Sequence, residues 1–232
     1  MNVTAFFKQI NFDAFESTLK WRFIDRFFSS FQRSKLKNKD FSIIGNNCFV
    51  GGMYHKFGLA YTTPTIWTYI YPEEYIRFLG NLDWYLKQPL KFKKETNHLM
   101  AHRFCKIMNR NYPIGVLGDD VEVHFMHYHT EEEALEKWNR RTKRLNLNNL
   151  FIVFSDGAEF KEELLERYEK LPYKHKIFFS SKPYSHSKST VFVKDYANAK
   201  HVYDSTHNRK YEKYLDLVKW LNGESNFLKT KN

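Results

Sequence analysis

A chain of 232 residues with 18% aromatic side chains, among them 22 Phe and 15 Tyr, carries enough apolar bulk for a large domain and excludes a disordered polyelectrolyte. Its formal net charge of +11 suits an anionic partner (nucleic acid, an anionic membrane surface or a phosphorylated ligand) without choosing among them. Cys48 and Cys105, without CxxC spacing, exclude a disulfide framework and a thiolate zinc site, and no run approaches the roughly 18 apolar residues of a membrane span.

Residues 1–40 read as an N-terminal helical segment, with Phe6, Phe7, Ile10, Phe15, Leu19, Phe23, Phe27 and Phe31 recurring near helical spacing among Lys8, Lys20, Arg22, Arg26 and Arg33. That pattern fits an interfacial helix or one packed on its own domain. Asp13, Glu16 and Asp25 dilute the basic face and favour packing. The opening residues lack the apolar core and cleavage site of a signal peptide, so a cytoplasmic location is expected, at most peripheral to the inner face of the membrane.

From residue 41 to 232 a single α/β domain is expected. Phe41–Ile44 is a short strand, and Gly45, Asn46, Asn47, Cys48, Gly51 and Gly52 follow as a turn whose backbone N–H groups could meet an anion. The spacing is neither G-x-G-x-x-G nor a Walker loop. Cys48 at a helix N-terminus would have a lowered pKa, against the plainer reading of a small buried hydrophobe. Pro72-Glu73-Glu74 starts a helix with Tyr75, Phe78, Leu79, Leu82 and Leu86 on its core face. Residues 87–112, basic and weakly patterned, read as a loop-rich excursion or lid.

Alternation continues a strand from Val121 to Tyr128, with Val121, Val123, Phe125 and His127 on one face and Glu122, His124, Met126 and Tyr128 on the other. Thr130-x-x-Glu133 is a capping box for a helix running to Leu145, acidic at its start and basic at its end. Leu150–Phe154 is the continuous apolar run of a buried parallel strand. A helix (Glu159–Leu171), two strands (Lys176–Phe179 and Thr190–Val193) and a last helix (Lys210–Leu221) complete a layered α/β fold: a mainly parallel sheet flanked by helices.

FSIIGNNCFVGGMY (Phe41–Tyr54), TTPTIW (Thr62–Trp67), the block Tyr112–Asn146 and NLFIVFSD (Asn149–Asp156) together resemble a bacterial family of unassigned function, often labelled exopolysaccharide or capsular polysaccharide biosynthesis protein. The resemblance covers roughly residues 40–180 and implies a setting, surface-glycan assembly, with no catalytic residues to carry over. In that setting the expected partner is an anionic sugar donor, nucleotide-linked or polyprenyl-phosphate-linked, and the expected activity a transferase, foremost of a glycosyl group.

Asp119, Asp120 and Glu122 then form an acidic cluster able to hold Mg²⁺ or Mn²⁺ against a diphosphate, or to supply a general base; the plainer reading is a turn before a strand. His127 is a candidate proton-exchanging group, with Tyr128 beside it; without H-E-x-x-H or a nearby cysteine, no metal ligands are assigned among His124, His127 and His129. Arg141 and Arg144 share a helix face and are phosphate candidates, although basic residues at a helix end also balance its dipole. Asp156, just past a buried strand, is placed where open sheets present ligand-facing groups. Two other classes compete: a non-catalytic partner docking on glycan machinery through residues 1–40, and a basic nucleic-acid-binding protein. The latter is disfavoured because the cations are spread along the chain and no recognition motif is legible.

Overall fold

The computed structural model describes residues 25–108, 111–202 and 209–229. In chain order the elements are α1 (Asp25–Ser34), β1 (Ser42–Gly45), α2 (Phe49–Lys56), α3 (Pro72–Gly80), α4 (Leu82–Lys87), β2 (Lys91–Lys93), α5 (Leu99–Met108), β3 (Ile114–Leu117), β4 (Val121–His124), α6 (Glu131–Thr142), β5 (Leu150–Ser155), α7 (Glu163–Glu169), β6 (His175–Ser180), β7 (Thr190–Phe192) and α8 (Leu217–Leu221). Two 3-10 turns, Lys194–Tyr196 and Lys210–Lys213, lie in the last third.

A four-stranded sheet in the order β1-β5-β6-β7 is parallel throughout, so the expected mainly parallel α/β architecture is present. β5 is its centre because its apolar run can be buried on both faces. Phe151 and Val153 enter one core with Phe49, Tyr54 and Trp220, while Ile152 and Phe154 enter the other with Tyr75, Phe78 and Tyr168. Each such side chain contributes roughly 1.5–3 kcal/mol on burial. Buried tyrosines close the layers: Tyr75 Oη donates to the carbonyls of Ile44 (3.1 Å) and Val153 (3.0 Å), joining α3 to β1 and β5.

A smaller antiparallel sheet, β2-β3-β4, sits beside the parallel one. Its β3–β4 hairpin turns through Gly118 (φ 58°) and Asp119 (φ 68°), residue types that tolerate the left-handed region. Tyr69 and His124 exchange two backbone hydrogen bonds of 2.8 Å each, and Ile70 N–H donates to the Asn46 carbonyl (2.9 Å). This stitch holds the end of β4 against the chain leaving β1. It positions the site described below.

Several expectations give way. The Val121 strand belongs to the antiparallel sheet and stops at His124, where its partner β3 begins at Ile114. Pro113, next in line, has no N–H to extend the ladder, and Phe125–Tyr128 closes into a turn (Tyr128 N–H to Phe125 carbonyl, 3.0 Å). The Glu159–Leu171 helix is shorter, Glu163–Glu169, because Glu159 takes φ 66°. Lys210–Leu221 breaks into a 3-10 turn and α8, which Asp216 caps afresh by accepting from Lys219 N–H (3.1 Å). Residues 87–112 contain β2 and α5 besides loop. The α6 cap is as expected: Thr130 Oγ1 accepts from Glu133 N–H (3.1 Å) and Glu133 accepts from His129 N–H (2.9 Å).

Of the helical segment expected over residues 1–40, the first 24 residues lie outside the described residues. In α1, Phe27, Phe28 and Phe31 are 77%, 56% and 58% exposed, so Phe27 and Phe31 are not the core residues that packing on the domain required. Arg33 instead attaches the helix by donating to the carbonyls of Phe57 (3.2 Å) and Gly58 (3.0 Å).

Candidate active site

A cavity of about 350 Å³ opens at the carboxyl ends of β1 and β5, the usual ligand position in an open parallel sheet. Its base is the joint between those strand ends. Asn46 Oδ1 accepts from Ser155 N–H (3.1 Å), and Asn47 donates to Ser155 Oγ (2.7 Å) while accepting from Phe49 N–H (3.0 Å) at the start of α2. Tyr69, Tyr71 and Phe49 supply aromatic walls, and Met100 and Phe104 of α5 face them with Tyr112. Gly157 is needed here: a Cβ would stand 2.4 Å from Tyr69 Oη.

The polar wall is His124, 1% exposed, whose Nδ1 lies 3.2 Å from Tyr112 Oη. Its Nε2 is 3.3 Å from Glu122 Oε2 but poorly aligned, and makes no hydrogen bond. Burial opposes charge on Glu122, yet the neighbouring His124 ring, Lys93, Thr96 and the Asn97 N–H outweigh it and hold the carboxyl well below the usual carboxylate range. Behind them His98 stacks on Tyr71, with ring centroids 3.6 Å apart and 7° between planes. Its Nδ1 meets Glu159 (2.9 Å) and its Nε2 meets Glu74 (3.0 Å). Burial lowers the His98 pKa, but the two carboxylates overcome it and the net shift is upward. Glu74 also accepts from Glu122 N–H (2.7 Å), so both groups share one network. The ligand atoms of His98, Glu122 and His124 all lie within 4.8 Å of one another.

The residues singled out by sequence are dispersed by this geometry. Asp120 sits on the β3–β4 hairpin, tied to Tyr85 Oη (3.0 Å) and Arg77 (3.5 Å), while Asp119 pairs with Lys91 (3.0 Å). Alternation sends Glu122 into the buried network, so the acidic cluster does not assemble. His127 is exposed in the turn after β4, its ring 5.4 Å from that of Trp67. Tyr128 is buried, donates to the Ile66 carbonyl (2.6 Å) and accepts from Arg141. Arg141 is 6% exposed and lies 5.1 Å over the Tyr61 ring, so it braces α6 against the 61–66 loop instead of awaiting phosphate. Arg144 is exposed beyond the end of α6.

Asp156 is turned inward. It accepts from Ser181 N–H (2.7 Å), Ser181 Oγ (2.8 Å), Ser180 Oγ (3.3 Å) and Val202 N–H (2.7 Å), tying the ends of β5 and β6 to residue 202. Gly45 and Gly51 serve close packing, since added Cβ atoms would meet Val50 at 2.4 Å and Trp67 at 2.8 Å, and Gly52 is buried within α2. Of the glycine turn, Asn47 and Cys48 reach the cavity and Asn46 secures its base. The Cys48 thiol is not activated: burial pushes it up to about 12.

His98, Tyr69, Tyr71 and Tyr112 escaped the sequence reading. The alternation that put Glu122 and His124 on one face was the signal for that pair. His98 had none, because its partners Glu74 and Glu159 are far away in the chain.

Residues 20–222 match a family described as a domain of unknown function, DUF1919. The chain belongs to that family. It is also similar to an uncharacterized protein of Haemophilus influenzae (strain Rd), 36% identical over 193 residues that span 81% of this chain and 87% of the relative. The expected membership in a family of unassigned function therefore holds, while neither description mentions polysaccharide. Among the described residues of this DUF1919 chain, no helix is long and apolar enough to cross a membrane.

Proposed function

We propose that this DUF1919 protein is a transferase of sugar units, with the aromatic cavity at the ends of β1 and β5 holding the sugar. The observation that carries the reading is the pairing of aromatic walls (Tyr69, Tyr71, Phe49) with a buried His124–Glu122 pair at one side of the same cavity. Aromatic faces suit the apolar faces of sugar rings, and a polar group at the wall suits their hydroxyls. In such a transfer the acceptor oxygen bonds to the anomeric carbon, the bond to the donor's phosphate oxygen breaks, and the acceptor's hydroxyl proton is given up. The His124–Glu122 pair is the group placed to handle that proton, in the role first assigned to His127.

Among the described residues no Lys or Arg lines the cavity, so in this reading the donor's phosphates would lie outside its mouth. A donor carried on a lipid phosphate would bring the protein to an anionic membrane. Exposed Phe27, Phe28 and Phe31, with Lys35 4.3 Å over the Phe31 ring, suit that surface.

The test is transfer from a panel of nucleotide-linked and polyprenyl-phosphate-linked sugars, repeated with His124→Gln, Asp120→Asn and His127→Gln. We expect His124→Gln to lower turnover by about 10²-fold or more, with the other two close to the parent. No transfer from any donor, or loss in Asp120→Asn with His124→Gln unaffected, would remove this reading.

A further inference from the structure

The polar network behind the cavity gathers three carboxylates around one lysine and two imidazoles. Glu74, Glu122 and Glu159 converge on Lys93, His98 and His124, with side-chain exposures of 12%, 2% and 35% for the three acids. A ligating imidazole is neutral, so in an ion-bound form three carboxylates against one ammonium would leave two charges for a dication to balance. A second, independent observation concerns His124. Its Nε2 is buried and stands 3.3 Å from Glu122 Oε2 without completing a hydrogen bond to it. An orphaned buried ring nitrogen is costly, and two donor atoms turned to a common space are what a cation satisfies.

We propose that His98, Glu122 and His124 bind one divalent transition-metal ion. Donors held at about 2.1 Å from one ion lie roughly 3–4 Å apart, so atoms now within 4.8 Å of one another need close in by only an ångström or so. Two imidazoles and one carboxylate select Zn²⁺, Fe²⁺, Co²⁺ or Mn²⁺ over Mg²⁺ and Ca²⁺, which prefer all-oxygen sites. The surroundings already resemble the outer partners of a metal site. His98 has a carboxylate at each ring nitrogen, so one stays to orient the ring while the other nitrogen turns to the ion. Lys93 and the Asn97 N–H hold Glu122 Oε1, while Oε2, which accepts from Thr96 Oγ1 (2.6 Å), keeps its other side toward His124.

The site deepens the transferase reading and rests on it only for its purpose. His124 is the member that borders the cavity; with His124 and Glu122 serving as ligands, an acceptor hydroxyl bound to the ion would give up its proton more readily, so the ion takes over the proton-handling role of the bare pair.

The experiment uses the full chain, stripped with a chelator and titrated with Zn²⁺, Co²⁺, Mn²⁺ and Mg²⁺ by calorimetry, with Co²⁺ followed by visible absorption. One equivalent of Zn²⁺ or Co²⁺ should bind, Co²⁺ should give ligand-field bands, and the melting temperature should rise. His98→Gln, Glu122→Gln and His124→Gln should each weaken binding at least tenfold, and exposed His129→Gln should not. Should Glu122→Gln fail to fold, His98→Gln decides, since His98 is less buried than Glu122 and glutamine keeps a hydrogen-bonding group there. No saturable binding, binding indifferent to both histidine variants, or Mg²⁺ bound as tightly as Zn²⁺ overturns the proposal. Ion binding without sugar transfer would remove the transferase reading alone; transfer that persists undiminished in the stripped protein would remove the ion's part in transfer, and absence of saturable binding would remove the site.

Discussion

His201 borders the cavity opposite the histidine network, and burial with the neighbouring Lys200 pushes its imidazole down to about 4. The unfolded chain protonates this ring near 6.5, so between those values the unfolded state binds a proton that the folded state refuses. Stability is therefore full above about 6.5 and declines as pH falls toward about 4. A melting-temperature series across that window should slope downward on acidification, and His201→Phe should flatten the slope. An unchanged slope in the variant would assign the loss to other groups. Glu169 acts in a lower window: burial opposes its charge, but Ser187 and Ser189 hold the carboxyl below the usual range, so its contribution disappears only at more acid pH.

At the scale of elements, α1 presents Phe27, Phe28 and Phe31 to solvent while Arg33 fastens its end to the chain after α2. Replacing all three with Ser should release the protein from anionic vesicles in co-sedimentation, by roughly tenfold in affinity for each Phe that inserts. Equal binding by parent and variant would place the contact elsewhere. Elements with a local cause were readable from sequence: β5 from its unbroken apolar run, and α6 from its capping box and charge order. The end of β4 was not, because it depends on Pro113 in the neighbouring strand having no N–H to offer. Nor does alternation say whether a strand's partner is parallel, so the second, antiparallel sheet that holds β4 was not legible. The same limit governs the site. Glu122 and His124 share a face by periodicity, whereas His98 acquires its meaning only when α3, β4 and the chain after β5 bring Glu74, Glu122 and Glu159 around it.

Across the whole molecule the net charge is +11, and among the described residues none of its Lys or Arg lines the cavity. What the described lining offers is aromatic surface and a few hydrogen-bonding side chains. Its two halves come from different sheets, the base from the parallel one and the histidine wall from the antiparallel one, so its geometry depends on how those sheets are joined.

The join is the reciprocal pair of amide bonds between Tyr69 and His124. Each proton is caged by the other residue's carbonyl, so neither is released to solvent unless both partners separate. In hydrogen–deuterium exchange the two amides should therefore label together, at a single rate that Ile70 shares through its bond to Asn46. Ligand held in the cavity would slow all three at once, making them a reporter of occupancy that requires no knowledge of the reaction. Independent labelling of Tyr69 and His124 would mean that the two sheets open separately, and that the cavity exists for only part of the time.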